Sequence, residues 1–177
     1  MENGERLLTL LNDLLDLSKL EAGAAEYAFK PYDITKIIND SVRELKSLIS
    51  DKNISVEYVS VSDIPDVECD IGKMTQVLLN ILSNAIKFTP IGQTIRISCK
   101  LDEKDKDFCC LSISDEGIGV PENELKAVFD KFIQSSKTKN GAGGTGLGLA
   151  ICKEIIYGHN GDIWVENNVD AAGATFV

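Results

Sequence analysis

The chain has 177 residues, of which 44% are hydrophobic and 26% are charged, and its formal net charge is −10. This length and composition predict one globular core with at most an appended element. An acidic surface repels the phosphates of nucleic acids and of anionic membranes, so neither is expected as a general partner. An anionic ligand would need cations or backbone N–H groups placed locally for it.

Hydropathy and cysteine usage both indicate a cytoplasmic protein. No apolar run in the sequence approaches the roughly 20 residues that cross a bilayer. The cysteines show no metal-ligand spacing, so we expect them to be reduced residues in or near the core. The five cysteines are Cys69, Cys99, Cys109, Cys110 and Cys152.

The first predicted element is a leucine-dense helix from about Glu5 to Glu21. Its leucines form two adjacent stripes, at positions 7, 10, 14 and 17 and at positions 8, 11 and 15. This apolar face is wider than a two-stranded seam requires, and it is typical of one helix in a bundle. The alternative is a helix that folds onto its own domain. Gly23 is predicted to cap the C-terminus of the helix.

After this helix, short strands and helices follow one another to the end of the chain. Strands are predicted at about 27–31, 54–61, 94–101, 108–114, 162–166 and from 174 onward, with a further short strand between the turn at 65–66 and residue 71. Helices are predicted at about 34–49, 71–88 and 146–157, with a short helix that begins at Pro121. Apolar–polar alternation on both sides of the charged turn at 102–107 predicts a hairpin. The polar, glycine-rich segment 134–146 is predicted to be a mobile loop. We therefore predict an α+β two-layer sandwich: a mixed, mostly antiparallel sheet with helices on one face.

The predicted helix at 71–88 has a polar face as well as an apolar one. Gln76, Asn80, Asn84 and Lys87 stand at i, i+4, i+8 and i+11, so they line up along one side. Asparagine is a middling helix former, so two of them one turn apart gain nothing from helix propensity. Amide oxygens beside a lysine suit a hard cation and a phosphate, because Mg²⁺ prefers oxygen ligands. The alternative interpretation is an ordinary solvated face.

A second candidate feature is the acid at the end of the strand 108–114. Asp115 is followed by Gly117 and Gly119, and glycine permits a tight turn and close approach of the backbone to a ligand. An aspartate in this place can accept a hydrogen bond from an exocyclic amine such as that of adenine. The alternative interpretation is an ordinary Asp–Gly turn.

The third feature is the glycine-rich segment 141–149, which runs into the last predicted helix. Backbone N–H groups at the positive end of a helix form a natural cradle for phosphate. Residues 141–146 match the dinucleotide-binding pattern G-x-G-x-x-G, but the preceding segment is polar and not a buried strand. The P-loop pattern is also excluded, because no Lys-Ser/Thr pair follows the glycines.

The order and spacing of these features resemble the ATP-binding domain of sensor histidine kinases. The likeness runs from about Leu7 to the C-terminus, and the leucine helix through Gly23 resembles the end of the second helix of the dimerisation and phosphoacceptor bundle. The resemblance therefore implies a bundle helix at 1–23 and a catalytic ATP-binding domain at 24–177. Residues 80–89 resemble the asparagine box of this family, 115–119 its first glycine box, 129–132 its phenylalanine box, 144–149 its second glycine box and 173–175 its last glycine–threonine element.

The resemblance implies specific roles for the phosphate end of the site. Asn84 would coordinate Mg²⁺, Asn80 would lie beside the phosphates, and Lys87 would contact them. Asn84 and Lys87 would thus be the catalytic residues. The loop that closes around the triphosphate would consist of Gly144, Thr145, Gly146, Leu147 and Gly148.

The resemblance also implies an adenine end and a lid. Asp115 would accept the hydrogen bond of the adenine amino group, Gly117 and Gly119 would let the base approach, and Thr175 would support this pocket through Asp115 or a shared water. Phe129 and Phe132 would anchor the lid. Candidate γ-phosphate contacts from the lid are Gln134, Lys137 and Lys139.

The chemistry implied by the resemblance is transfer of the γ-phosphoryl group of Mg·ATP to a histidine, for relay to a response-regulator aspartate. The acceptor histidine would lie upstream, in the dimerisation domain of a homodimer, so we expect this segment to bind ATP without phosphorylating itself. The single histidine, His159, follows a helix and is predicted to be structural.

Two other functions fit part of this pattern. Related ATP-binding domains occur in type II topoisomerases, mismatch-repair proteins, chaperones and some serine-directed kinases, but these would not need the leucine-rich first helix. A regulatory dimerisation module with a degenerate nucleotide site is the non-enzymatic alternative. The intact residues Asn84, Lys87 and Asp115 argue against it.

Overall fold

A computed structural model describes residues 2–61, 64–102, 105, 107–137, 145–169 and 171–177. Over these residues the chain forms five α-helices and seven strands. The helices are α1 (Glu2–Glu21), α2 (Ile34–Glu44), α3 (Lys46–Asp51), α4 (Ile71–Phe88) and α5 (Gly148–Gly158). The strands are β1 (Lys30–Tyr32), β2 (Ser55–Val61), β3 (Val67–Cys69), β4 (Thr94–Leu101), β5 (Cys109–Asp115), β6 (Val165–Asn167) and β7 (Ala174–Phe176).

The main sheet has five strands in the order β2-β4-β5-β7-β6, and a separate pair joins β1 to β3. Strands β2 and β4 are parallel, and the other neighbours in the main sheet are antiparallel. Alternate residues of β4 point into the core, where Ile95, Ile97 and Cys99 are fully buried. Helices α4 and α5 pack together over this face of the sheet. The predicted α+β fold with helices on one face is confirmed.

The structure divides one predicted helix and shifts several strand ends. The helix predicted at 34–49 is interrupted at Leu45, whose ψ of 8° departs from helical geometry and ends α2. Helix α2 buries Ile34, Ile37 and Ile38, whereas α3 buries no residue. Because no residue of α3 is fully buried, packing into the core does not require α3 to be collinear with α2. Strand β5 extends one residue further than predicted, and Asp115 is its last residue.

Helix α4 has the bounds predicted from the sequence. The Asp70 carboxylate begins it by accepting the main-chain N–H of Lys73 (3.0 Å), and it also accepts that of Ala28 (2.9 Å). The helix is packed into the core along one side, which leaves its polar side towards a cavity. The buried residues of α4 are Val77, Leu78, Ile81, Leu82, Ala85 and Ile86.

Lys52 caps the C-terminus of α4. Its Nζ donates to the main-chain oxygens of Ile86 (2.8 Å), Lys87 (2.7 Å) and Thr89 (3.0 Å). A cation in this place satisfies carbonyl groups that a helix end leaves without partners, and it opposes the negative end of the helix dipole.

We expect Lys52→Met to lower the free energy of unfolding by about 2 kcal/mol, because a charged donor to three helix-end carbonyls, two of them in part-buried contacts, is lost. Urea unfolding monitored by circular dichroism measures the change. Lys36→Met is the control, because Lys36 is an exposed lysine of α2, and its effect is expected to stay within about 0.5 kcal/mol. Equal losses in the two variants would show that Lys52 does not act as a cap.

Helix α1 packs one face against α5 and exposes the other. Leu17 and Leu20 are buried in the core, and Glu21 accepts a hydrogen bond from Lys131 Nζ (2.7 Å). The helix ends at Glu21 and is capped by Gly23, as predicted: the φ of Gly23 is +63°, and the Ala24 N–H donates to the Lys19 carbonyl (2.9 Å). The leucines that remain exposed are Leu7, Leu8, Leu11, Leu14 and Leu15. The helix thus folds onto its own domain while keeping an unpartnered leucine face.

His159 is a structural residue at the end of α5. One ring nitrogen, Nε2, accepts the main-chain N–H of Asp70 (3.0 Å), and Nδ1 lies 2.8 Å from the carbonyl oxygen of Ile155. The ring thereby ties the end of α5 to the start of α4.

All five cysteines are free thiols, and three of them are buried, as predicted. No helix in the described part of the chain is both long and apolar enough to span a membrane.

Candidate nucleotide-binding site

A cavity of about 350 Å³ lies between α4, the turn after β5 and the beginning of α5. It brings together eight of the site residues predicted from the sequence. These are Asn80, Asn84, Lys87, Asp115, Gly119, Thr145, Gly146 and Gly148. Three segments of the chain, 80–87, 115–119 and 145–148, therefore line one cavity, although their first and last residues are 68 positions apart.

Helix α4 contributes polar side chains to the wall of the cavity. Asn80, Asn84 and Lys87 line the cavity because they lie one turn apart on the side of α4 that does not pack into the core. The Oδ1 of Asn80 lies so close to Gly148 that a Cβ there would be 2.9 Å from it. Glycine at 148 thus allows the start of α5 to approach the asparagines of α4.

Asp115 forms the polar end of an otherwise apolar wall. Its side chain is buried, and its Oδ1 accepts the main-chain N–H groups of Gly117 (2.8 Å) and Ala174 (3.4 Å). Burial raises the pKa of the Asp115 carboxyl, and these two hydrogen bonds oppose that rise. Because both main-chain donors use Oδ1, Oδ2 is the acceptor that a ligand in the cavity can use.

The opposite end of the cavity is the N-terminus of α5. The hydroxyl of Thr145 accepts the main-chain N–H of Leu147 (3.2 Å), so it orders the turn that leads into the helix. Leu147 itself is fully buried and fixes this turn to the core. The first N–H groups of a helix have no partner within it and favour an anion. This end therefore suits phosphate, and the Asp115 end suits a base with an exocyclic amine.

Four predicted site residues lie beside the cavity or beyond the described residues. Gly117 does not line the cavity, but its main-chain N–H donates to Asp115 Oδ1. Phe132 is 57% exposed and does not line the cavity, but its main-chain N–H donates to the carbonyl of Gly146 (2.9 Å). Leu147 is a core residue rather than a cavity residue. Gly144, together with the lid candidate Lys139, lies outside the described residues.

Thr175 faces away from the cavity. Its neighbours Ala174 and Phe176 line the cavity, and alternation along a strand turns Thr175 to the other side of the sheet. Its Oγ1 lies within hydrogen-bonding distance of Asn168 Oδ1 (2.7 Å), and Asn168 Nδ2 donates to the main-chain oxygen of Asp115 (2.8 Å). Thr175 is thus linked to the main chain of Asp115 only indirectly, through Asn168.

Part of the predicted lid is described and contacts the cavity. Gln134 lines it, and Lys137 Nζ donates to the carbonyl oxygen of Ile118 (2.7 Å) at its rim. Phe129, a predicted lid anchor, is buried and packs edge to face against Phe176, with ring centroids 6.3 Å apart.

The cavity also contains residues that the sequence did not single out. Asp13 of α1 lines it and accepts a hydrogen bond from Thr145 Oγ1 (3.1 Å). The available signal was an acid on the same helical face as Leu10, Leu17 and Leu20. The remaining additions are Ser83, Phe88, Ile118, Val120, Val128, Ile133, Ser135, Leu149, Ala174 and Phe176.

The comparisons with known proteins agree with this geometry. Residues 69–177 match the family described as histidine kinase-, DNA gyrase B-, and HSP90-like ATPase. Over 97% of its length the chain is 39% identical to the sensor histidine kinase WalK of Bacillus subtilis (strain 168), of which it spans 28%. Its fold matches full-length ShkA solved in complex with AMPPNP, with a TM-score of 0.85 and 28% identity over 99% of this chain and 35% of ShkA.

A further solved relative is histidine kinase ThkA in complex with response regulator protein TrrA. It matches with a TM-score of 0.75 and 25% identity over 99% of this chain and 47% of the other. The fold and the site thus define an ATPase domain, and the chain belongs to the histidine kinase-, DNA gyrase B- and HSP90-like ATPase family. Within that family it is of the sensor histidine kinase type, as the sequence predicted. The chain spans 28% of the length of WalK and 23% and 21% of the length of two other curated relatives.

Proposed function

We propose that this chain is the ATP-binding catalytic domain of a sensor histidine kinase and transfers the γ-phosphoryl group of Mg·ATP to a histidine. The observation that carries the proposal is the convergence of three features on one cavity. They are the buried acceptor Asp115, the polar row Asn80–Asn84–Lys87 and the N-terminus of α5. Each feature alone is common, but a bound nucleotide needs all three together. The acceptor serves the purine base, the polar row serves the metal–triphosphate group, and the helix N-terminus serves the anionic oxygens.

In the proposed complex the adenine amino group donates to Asp115 Oδ2. The apolar wall beside it, which includes Val120, Val128 and Phe176, would contact the ring faces. The triphosphate would extend towards Thr145, Gly146 and the start of α5, where main-chain N–H groups and the helix dipole favour negative charge.

The donor set of the cavity fits Mg²⁺. Among the described residues no three His, Cys, Asp or Glu side chains converge on a point that could hold a metal. Mg²⁺ bound with ATP needs only one or two protein oxygens, because phosphate and water supply the other ligands. We propose that Asn84 holds it, with Asn80 beside the phosphates. When bound, Mg²⁺ would neutralise phosphate charge.

The residues of this chain would act by positioning and by charge neutralisation. Lys87 would contact the phosphates and stabilise charge during transfer. In the transfer itself a nitrogen of the acceptor imidazole bonds to the γ-phosphorus, the bond to the β–γ bridging oxygen breaks, and ADP leaves. The cavity lining contains no histidine, and His159 is occupied at the end of α5, so the acceptor would come from outside the described site.

The partners of the proposed kinase follow from the same assignment. A response-regulator aspartate would receive the phosphoryl group, and the match to ThkA, which was solved with the regulator TrrA, supports this. The exposed leucine face of α1 supports its place in a dimerisation bundle. We propose a cytoplasmic location for the domain, where ATP is available.

The test of nucleotide binding is calorimetric titration of the chain with AMPPNP and Mg²⁺. The proposal predicts saturable binding at one site. A folded chain that binds neither AMPPNP nor ADP would contradict it and would favour a regulatory module.

We expect Asn84→Ala to lower the affinity for AMPPNP about tenfold in Mg²⁺ and to change it little in EDTA, because one metal ligand is lost. Ser83→Ala is the control, because Ser83 also lines the cavity and its hydroxyl donates to the carbonyl of Asn80 (3.1 Å). Equal losses with and without Mg²⁺ in Asn84→Ala would exclude the assignment of Asn84 as a metal ligand.

A further inference from the structure

One acid interrupts the apolar stripe by which α1 packs onto the domain. The packed face of α1 carries Leu10, Asp13, Leu17 and Leu20, at spacings of three, four and three residues. Leu17 and Leu20 are buried, and Leu10 and Asp13 are partly buried. A carboxylate in this row gains nothing from apolar packing, so its position calls for another explanation.

The carboxylate of Asp13 faces the phosphate end of the cavity. It lines the cavity together with Asn80, Asn84 and Lys87, and its Oδ2 accepts a hydrogen bond from Thr145 Oγ1 (3.1 Å). The same Thr145 oxygen accepts the N–H of Leu147 at the start of α5. Asp13 therefore places a carboxylate beside the N-terminus of α5. Without that carboxylate, this helix end would favour a phosphate oxygen.

The surroundings of Asp13 do not favour its charge. Burial raises the pKa of the Asp13 carboxyl, the hydrogen bond from Thr145 lowers it, and the nearby Asp16 raises it again. The same surroundings would oppose a second anion beside it.

We propose that Asp13 is a specificity-determining residue of the nucleotide cavity, and that, with α1 packed on the domain, it disfavours ATP relative to ADP. This inference rests on the proposed binding of adenine nucleotides in the same cavity. The repulsion between like charges grows with the charge of the ligand, and ATP carries one more negative phosphate than ADP. Adenosine carries none and is unaffected. Movement of α1 away from the domain removes the carboxylate, so the position of α1 is coupled to the preference for ATP.

The decisive variant is Asp13→Asn, which keeps an oxygen that can accept from Thr145 and replaces the charged carboxylate by a neutral amide of the same size. The affinities for AMPPNP, ADP and adenosine are measured by calorimetry in EDTA and in Mg²⁺. We expect the affinity for AMPPNP in EDTA to rise about tenfold, that for ADP to rise less, and that for adenosine to be unchanged. The gain should shrink at high salt.

Two controls isolate the charge of Asp13. Asp16→Asn makes the same change in net charge on the same helix but outside the cavity lining, and it is expected to change the affinity for AMPPNP less than twofold. Asp13→Glu retains the negative charge and should give no gain.

Several outcomes would overturn the inference. An equal gain for adenosine would show that the variant acts by releasing α1 and not by charge. A loss of AMPPNP affinity that occurs only in Mg²⁺ would make Asp13 a metal ligand instead. Unchanged affinities would show that the carboxylate does not reach the phosphates. Failure of the proposed function itself is distinguishable, because the unmodified chain would then bind none of the three ligands.

Discussion

Asp115→Asn is expected to lower the affinity for AMPPNP about a hundredfold. An amide in place of the buried carboxylate creates a hydrogen-bond mismatch in either of its two orientations. If the amide oxygen keeps the N–H groups of Gly117 and Ala174, the NH₂ group faces the adenine amine and two donors meet. If the amide turns over, its NH₂ group meets those main-chain donors. Either arrangement leaves a buried polar group without a partner.

The measurement is calorimetric titration with AMPPNP, with Glu116→Gln as a charge-matched control. Glu116 pairs with Arg96 (2.8 Å) and is absent from the cavity lining, so its loss should change the affinity less than about twofold. A hypoxanthine nucleotide carries a carbonyl in place of the amine. The preference for an adenine nucleotide over a hypoxanthine nucleotide should therefore be smaller in Asp115→Asn than in the unmodified chain. Unchanged binding of AMPPNP by Asp115→Asn would remove Asp115 as the adenine acceptor.

The parts of the structure that the sequence predicted well depend on local patterns. The bounds of α4 follow from the Asp70 cap and from the apolar spacing of the helix, and the same periodicity places Asn80, Asn84 and Lys87 on one side. The hairpin β4–β5 follows from alternation of buried residues, and its end delivers Asp115 to the cavity. These features require little knowledge of how distant segments pack.

The parts that were not predicted depend on strand register and on packing between distant segments. The face on which Thr175 lies depends on the alternation within β7, where a shift by one residue would exchange it with Ala174 or Phe176. The entry of Asp13 into the cavity depends on how α1 packs against α5, more than 130 positions away in the chain. Periodicity identified an apolar face of α1 but did not show which part of it packs. Leu7 and Leu14 of the first stripe are exposed, like the whole second stripe, whereas Leu17 and Leu20 are buried.

Gly173→Ala is expected to lower the free energy of unfolding by about 4 kcal/mol, more than Lys52→Met does. At Gly173 the chain approaches the backbone that follows β5. A Cβ there would overlap the main-chain oxygen of Asp115 and would lie 2.7 Å from its carbonyl carbon and 2.9 Å from the nitrogen of Gly117. The residue also has a φ of +109°, a region that side chains rarely adopt.

Gly92→Ala separates the two causes of this loss. Gly92 also has a positive φ, +80°, but a Cβ there would meet nothing within 4 Å. Its substitution should therefore cost about 1–2 kcal/mol, the conformational part alone. Urea unfolding of both variants gives the difference, which is the part due to the overlap with Asp115. Because backbone atoms cannot move aside as a flexible side chain can, any relief must displace β7 or the Asp115 turn. Gly173→Ala should therefore also weaken AMPPNP binding in the fraction that folds. Equal losses of stability in the two variants would show that the overlap with Asp115 adds nothing to the conformational cost.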